Sequence, residues 1–356
     1  MEIQELLALT VKNGASDLHL IAGMPPMLRI DGSLRGLSHY PRLRHEEVEK
    51  LVSALLTPEQ KELFMANKDL DFSFDFGKET YGEEGRFRAN VYFQRGYVSG
   101  ALRFLPPKIR SIEDLSMPQV CHQFAQLKQG FILVTGPTGH GKSTTIAAIL
   151  NEVNLSRPVH ILTIEDPIEY VYPRGSSIIS QREMGGDTHS WAMALRSALR
   201  EDPDVVLIGE MRDADTMQAA ITIAETGHLV FSTLHTNSAA QSIDRILDAF
   251  PEHQKGQVRS QLAATLRGVI SQRLLPKISG GRTPAVEILI GTHAVANNIR
   301  EGKTHLIDSV IQTSKEAGMI TLESSLSQLV LSGAVSLETA KSYALRPEEF
   351  LRLVGS

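Results

Sequence analysis

The strongest constraint on this chain's fold is an octet, Gly136-Pro-Thr-Gly-His-Gly-Lys-Ser143, set between an apolar run and a helical one. Phe131-Ile-Leu-Val-Thr135 before it reads as a buried strand, and Thr144 to Val153 after it as a helix. That is the setting in which a P-loop works. Its glycines permit the φ values that turn successive backbone N–H groups onto phosphate oxygens, and the helix N-terminus adds partial positive charge. Lys142 would then offer a point charge to the β- and γ-phosphates and Ser143 a hydroxyl ligand to Mg²⁺. The residues Gly136, Pro137, Thr138, Gly139, His140, Gly141, Lys142, Ser143 and Thr144 are therefore expected to bind ATP with Mg²⁺. His140, a long side chain inside the loop, reads as solvent-facing.

The surrounding sequence alternates strands and helices. Val159–Ile164, Val205–Ile208 and Leu229–Thr233 are short and apolar or β-branched, and helical patterns run from Trp191 to Arg200 and from Ala214 to Glu225. Strands buried on both faces with helices between them imply a mostly parallel α/β sheet. The first hundred residues differ. A short amphipathic helix over 2–13 precedes alternating runs at 17–21, 27–30, 85–93 and 100–105, with a helical stretch at about 46–56. These read as a small α+β domain. Pro106-Pro107 can continue neither a helix nor a strand ladder and marks a linker. From about 290 the pattern turns helical, with a cap at Thr321.

Three further segments place polar residues at strand ends, where α/β sheets hold ligands. Glu210 ends Val205-Val-Leu-Ile-Gly-Glu and suits the acid that polarises an attacking water, or else caps the next helix. Glu165 ends Leu162-Thr-Ile-Glu, and His235 follows the strand after His228, where it is either structural or in reach of a γ-phosphate. Arg86, Arg88, Arg95 and Arg103 lie on strands of the first domain and read as a solvated face, although a P-loop hydrolase needs positive charge against the transition-state phosphate.

Composition sets outer limits. At roughly 150 residues per domain, a chain of 356 residues suggests two domains. The single cysteine, Cys121, excludes an internal disulfide and a multi-cysteine zinc site, and reads as a small buried hydrophobe. The net charge of −5 lacks the basic balance of a nucleic-acid binder. No apolar run approaches the roughly 20 residues that cross a bilayer, and the acidic N-terminus carries no secretory pattern, so a cytoplasmic protein without a transmembrane segment is expected.

With these residues in hand, the chain resembles the secretion ATPases of the type II secretion and type IV pilus systems, and within them the pilus-retraction (twitching motility) branch. The resemblance is carried by Gly14-Ala-Ser-Asp-Leu-His-Leu20, the P-loop, Thr163-Ile-Glu-Asp-Pro-Ile-Glu169, Leu199-Arg-Glu-Asp-Pro-Asp204 leading to Gly209-Glu-Met-Arg-Asp213, and residues 228–235. It continues through Ile299-Arg-Glu-Gly-Lys303, Ile311-Gln-Thr313 and Gly318-Met-Ile-Thr321. The extension and type II branches carry a four-cysteine zinc motif, which one cysteine cannot form. Three positions depart from the retraction pattern: His140 stands for a small residue, Ala296 for an arginine, and no glycine pair follows Thr313.

The resemblance implies a PAS-like α+β N-terminal domain over 1–105, a linker at 106–111, a RecA-like P-loop ATPase domain over 112–290 and a helical appendage over 291–356. It implies a homohexamer that hydrolyses ATP to retract a type IV pilus, sits peripherally at the inner-membrane base, engages an inner-membrane platform protein and binds no nucleic acid. Glu210 would be the catalytic acid, Glu165 a second acid near Mg²⁺ and water, and His235 a γ-phosphate contact. Arg88 and Arg103 would complete the site from the N-terminal domain. The alternatives are an accessory retraction paralogue, a nucleotide-gated binding module without turnover, and a RecA-type DNA motor, the last at odds with the acidic balance.

Overall fold

Alternation of period two governs the first part of the chain, and longer apolar strands the second. The computed structural model describes residues 1–30, 32–77, 85–105 and 108–355. They divide into Met1–Lys108 with Pro167–Val171, and Ile109–Asp166 with Tyr172–Ser356. Of the expected linker, Pro106 and Pro107 lie outside the described residues.

The first unit contains α1 (Ile3–Lys12), β1 (Asp17–Leu20), β2 (Met27–Ile30), β3 (Ser33–Gly36), α2 (His45–Ser53), α3 (Pro58–Asn67), β4 (Asp69–Phe76), β5 (Gly85–Gln94) and β6 (Tyr97–Leu105). Its six strands form an antiparallel sheet in the order β3-β2-β1-β6-β5-β4. Along β5, Phe87, Ala89 and Val91 are buried and Arg86, Arg88 and Asn90 are not fully so, as strand geometry requires when one face meets a core. Ile3, Leu6 and Leu7 of α1 and Val48, Leu51 and Val52 of α2 fill that core with them. At the β5–β6 turn Arg95 and Gly96 have φ of 52° and 85°, the left-handed pair that matches strand twist in a two-residue hairpin. Arg95 stays exposed there, as read from sequence.

The second unit runs α4 (Val120–Gln126), β7 (Gly130–Thr135), α5 (Lys142–Ser156), β8 (His160–Glu165), β9 (Ile178–Glu183), α6 (Trp191–Ala198), β10 (Val205–Ile208), α7 (Ala214–Glu225), β11 (Leu229–Leu234), α8 (Ala239–Asp248) and α9 (Glu252–Thr265). Then come β12 (Leu266–Pro276), β13 (Arg282–Ile290), α10 (His293–Arg300), α11 (Ile307–Thr313), α12 (Leu322–Leu331), α13 (Leu337–Tyr343) and α14 (Pro347–Gly355). The seven strands lie in the order β13-β12-β7-β11-β10-β8-β9, parallel except where β12 meets β13. Separate cores cover the two faces, which is why β7, β10 and β11 are buried at every residue. The last helices pack on the β12–β13 hairpin, with Leu322, Leu326, Ala340 and Phe350 against Leu275 and Ala285. Thr321 caps α12, its hydroxyl accepting from the Ser324 amide at 3.1 Å. Cys121 is fully buried, and burial pushes its thiol up to about 12, consistent with the packing role read from sequence.

Candidate active site

The sheet order decides which strand ends become neighbours. Successive positions β7, β11, β10 and β8 carry, at their carboxyl ends, the loop at 136–143, His235, Glu210 and Glu165. Residues up to 99 positions apart in the chain thus converge on one edge of the sheet.

The loop's glycines answer to steric demands. Gly136 has φ +141°, and a Cβ on it would lie 2.2 Å from the Gln272 carbonyl oxygen on β12. Gly141 has φ +83°, and its Cβ would meet the Gln272 amide nitrogen at 3.0 Å and Leu274 at 3.1 Å. Any side chain at Gly136 therefore drives the loop off β12. Gly141 leaves the first amides of α5 without a side-chain cap, and these groups are suited to phosphate oxygens.

Lys142 is 8% exposed and donates to the carbonyls of Gly136 at 2.9 Å and Pro137 at 3.1 Å. Its Nζ also lies 3.4 Å from His235 Nδ1, which Thr138 Oγ1 approaches at 3.3 Å. An ammonium has no lone pair, so Nδ1 accepts and the ring proton sits on Nε2. That nitrogen faces Glu210 Oε1 at 3.4 Å. Burial, then the charge of Lys142 and more weakly that of Arg212, lower the His235 pKa against the opposing pull of Glu210. A neutral imidazole thus links the lysine to the carboxylate.

Glu210 is held from its other side. Arg212 approaches Oε2 with Nε and with Nη2, both at 3.0 Å, so that with His235 on Oε1 both carboxylate oxygens are engaged. The helix-capping alternative for Glu210 is overturned: α7 is capped by Asp213, which accepts from the Thr216 amide at 2.8 Å. Glu165 accepts from Thr163 Oγ1 at 2.7 Å and from Gln181 Nε2 at 3.4 Å. Gly209 lets the two acidic strand ends approach, since a Cβ there would stand 3.3 Å from Glu165 Cα. Such a site can hold a polyphosphate on the loop and take a proton from water at Glu210.

Two readings change. His140 is not simply solvent-facing: its Nδ1 accepts from the Leu274 amide at 2.9 Å and its carbonyl from Gln272 Nε2 at 2.8 Å. Arg86 is not a solvated residue either. Within the first unit it is 16% exposed, binds Asp75 at 2.8 Å and donates to the Ile168 carbonyl at 3.2 Å. Arg88 and Arg103, in that same unit, stand directly opposite on β5 and β6. Like charges so placed repel, and acids offset them: Asp71 lies 3.9 Å from Arg88 and Asp17 3.0 Å from Arg103. Sequence reasoning missed Arg212 as a partner of Glu210, although it lies in the quoted Gly209–Asp213 segment. It also missed Gln272, whose Oε1 accepts from Thr145 Oγ1 on α5 at 2.7 Å.

A parallel sheet in this order, with a P-loop after β7 and an acid after β10, defines a RecA-like P-loop ATPase. Residues 101–340 match the family model described as type II/IV secretion system protein. The chain is 48% identical to the type IV pilus retraction ATPase PilT of Pseudomonas aeruginosa over 98% of this chain and 100% of that one. It is 45% identical to a twitching motility protein of Neisseria gonorrhoeae, covering 92% and 86%. A crystal structure of the pilus retraction motor PilT with bound ADP superposes with a TM-score of 0.91 at 46% identity, covering 99% of both chains. The chain belongs to the type II/IV secretion system protein family and is an ATP hydrolase of it.

Proposed function

We propose that this chain is the motor ATPase of type IV pilus retraction, working as a homohexamer at the inner-membrane base of the pilus. The observation that carries the catalytic reading is the contact chain Lys142–His235–Glu210 across three neighbouring strand ends. Residues 136–144 hold the nucleotide phosphates, and Glu210, fixed by His235 and Arg212, takes the proton of the attacking water. His235 senses the γ-phosphate from its place beside Lys142. Glu165 is a second acid beside the attacking water. Ser143 Oγ would hold Mg²⁺ beside the nucleotide, and the ion would supply positive charge against the phosphate oxygens. The likeness to the Pseudomonas and Neisseria proteins supports the pilus assignment, and the polar face presented by β5 and β6 supports Arg88 and Arg103 as the arginines that complete a site. No helix among the described residues is long and apolar enough to cross a membrane, which fits a peripheral protein that acts on an inner-membrane platform protein. Complementation tests this reading. In a retraction-deficient strain the wild-type gene should restore twitching and Lys142→Ala should not. Failure of the wild type, with the protein expressed and active as an ATPase, would point to an accessory role.

A further inference from the structure

His140 sits where the sheet runs out of partners. Pairing of β12 with β7 ends at Ser271 and Thr135, because β7 there gives way to the loop, yet β12 continues to Pro276. The amide of Leu274, in this overhang, faces the loop instead of a strand. Leu274 is half-buried, and a backbone N–H shielded from water without a partner costs free energy. The acceptor is His140 Nδ1 at 2.9 Å. Gln272 Nε2 holds the His140 carbonyl at 2.8 Å, and Arg282 approaches the neighbouring Gly139 carbonyl at 3.4 Å. The Tyr343 ring of α13 stands beside the imidazole, centroids 6.2 Å apart. Burial, followed by the charges of Arg273, Lys142 and Arg282, lowers the His140 pKa and keeps the Nδ1 lone pair free.

We propose that His140 is a positioning residue for the nucleotide loop: it takes the place of the partner that Leu274 lacks on the β7 side of β12 and so sets the loop's height above β12. The geometry is specific to the loop's middle, where the three glycines at 136, 139 and 141 have positive φ and would otherwise leave the chain free to move. A loop held in its binding conformation does not lose that freedom again when nucleotide arrives. His140 therefore contributes to nucleotide affinity more than to the chemical step. The inference rests on the reading of residues 136–144 as the ATP loop.

Steady-state phosphate release by the full chain, with saturation curves in ATP, tests it. His140→Ser removes the acceptor, since a hydroxyl one bond from Cβ stops short of the Leu274 amide. His140→Asn restores it, because Asn Oδ1 stands as many bonds from Cβ as His Nδ1. The expected result is a KM for ATP raised roughly tenfold in His140→Ser, with kcat within about threefold of wild type, and a KM returned to within about threefold in His140→Asn. The melting temperature of each variant is measured beside the kinetics, so that a general loss of fold is recognised as a fall in active fraction at unchanged KM. An unchanged KM in folded His140→Ser, or an Asn variant no better than Ser, overturns the proposal while leaving the ATPase reading intact. Absence of saturable ATPase in the wild type would instead remove the reading on which it rests.

Discussion

His235 Nε2 faces Glu210 Oε1 at 3.4 Å while its other ring nitrogen lies 3.4 Å from Lys142 Nζ. One imidazole thereby spans the lysine proposed to bind phosphate and the carboxylate proposed to receive a proton. Replacing His235 with Ala breaks that link without touching the loop backbone. The expected outcome is a kcat lowered by about 10² or more, the range of a disturbed general base, with a smaller change in ATP affinity. Phosphate release and equilibrium binding of a fluorescent ADP analogue separate the two effects. A variant with wild-type kcat would leave His235 as a surface residue.

The histidines also give the fold a pH dependence. His140 and His235 both have pKa values lowered from 6.5, chiefly by burial. Above the unfolded value both states hold a neutral ring and the full contribution is present. As pH falls below about 6.5 the unfolded chain takes up protons first, so stability is lost on the way down through the folded values. Glu287 works the other way. Burial raises its carboxyl to about 7, so the folded chain holds that proton between roughly 4.5 and 7 and gains stability as pH falls. The difference between variants isolates each. Between pH 7.5 and 5.5 the melting temperature of His140→Asn with His235→Asn should fall less than that of wild type. That of Glu287→Gln should fall more. Parallel curves for all three would contradict the assignment.

How much of this could be read beforehand depends on the range of the contact. The P-loop is local: strand, glycines, lysine and helix occupy one stretch, and the structure keeps them so. Glu165, Glu210 and His235 were legible as strand ends, but not their adjacency, because the order β7-β11-β10-β8 is set by crossovers that leave no mark on any single strand. β12 escaped because Arg267, Gly268, Ser271, Gln272 and Arg273 interrupt its apolar residues. With that strand unread, His140 lacked a visible partner and looked free. Arg86 misled for the same reason, its carbonyl acceptor at Ile168 lying 82 residues away.

Arg88 and Arg103 share a sheet face, each beside its own acid, Asp71 and Asp17 respectively. If Arg88 completes the site of a neighbouring subunit, Arg88→Ala and Lys142→Ala chains, each inactive alone, should regain ATPase activity when mixed and reassembled. Some interfaces then pair an intact arginine with an intact loop. Phosphate release should peak at intermediate ratios. A flat zero across all ratios argues that the arginine acts within its own chain or only in folding.

The most direct test of the account is a single comparison made on Glu210→Gln. The substitution keeps size and a hydrogen-bond acceptor but removes the base, so the loop at 136–144 should be untouched. ATP should bind within about threefold of the wild-type affinity by equilibrium titration, while steady-state phosphate release falls by at least roughly 10². Turnover close to wild type would show that Glu210 is not the proton acceptor, and loss of ATP binding would make it part of the scaffold; either result contradicts the mechanism.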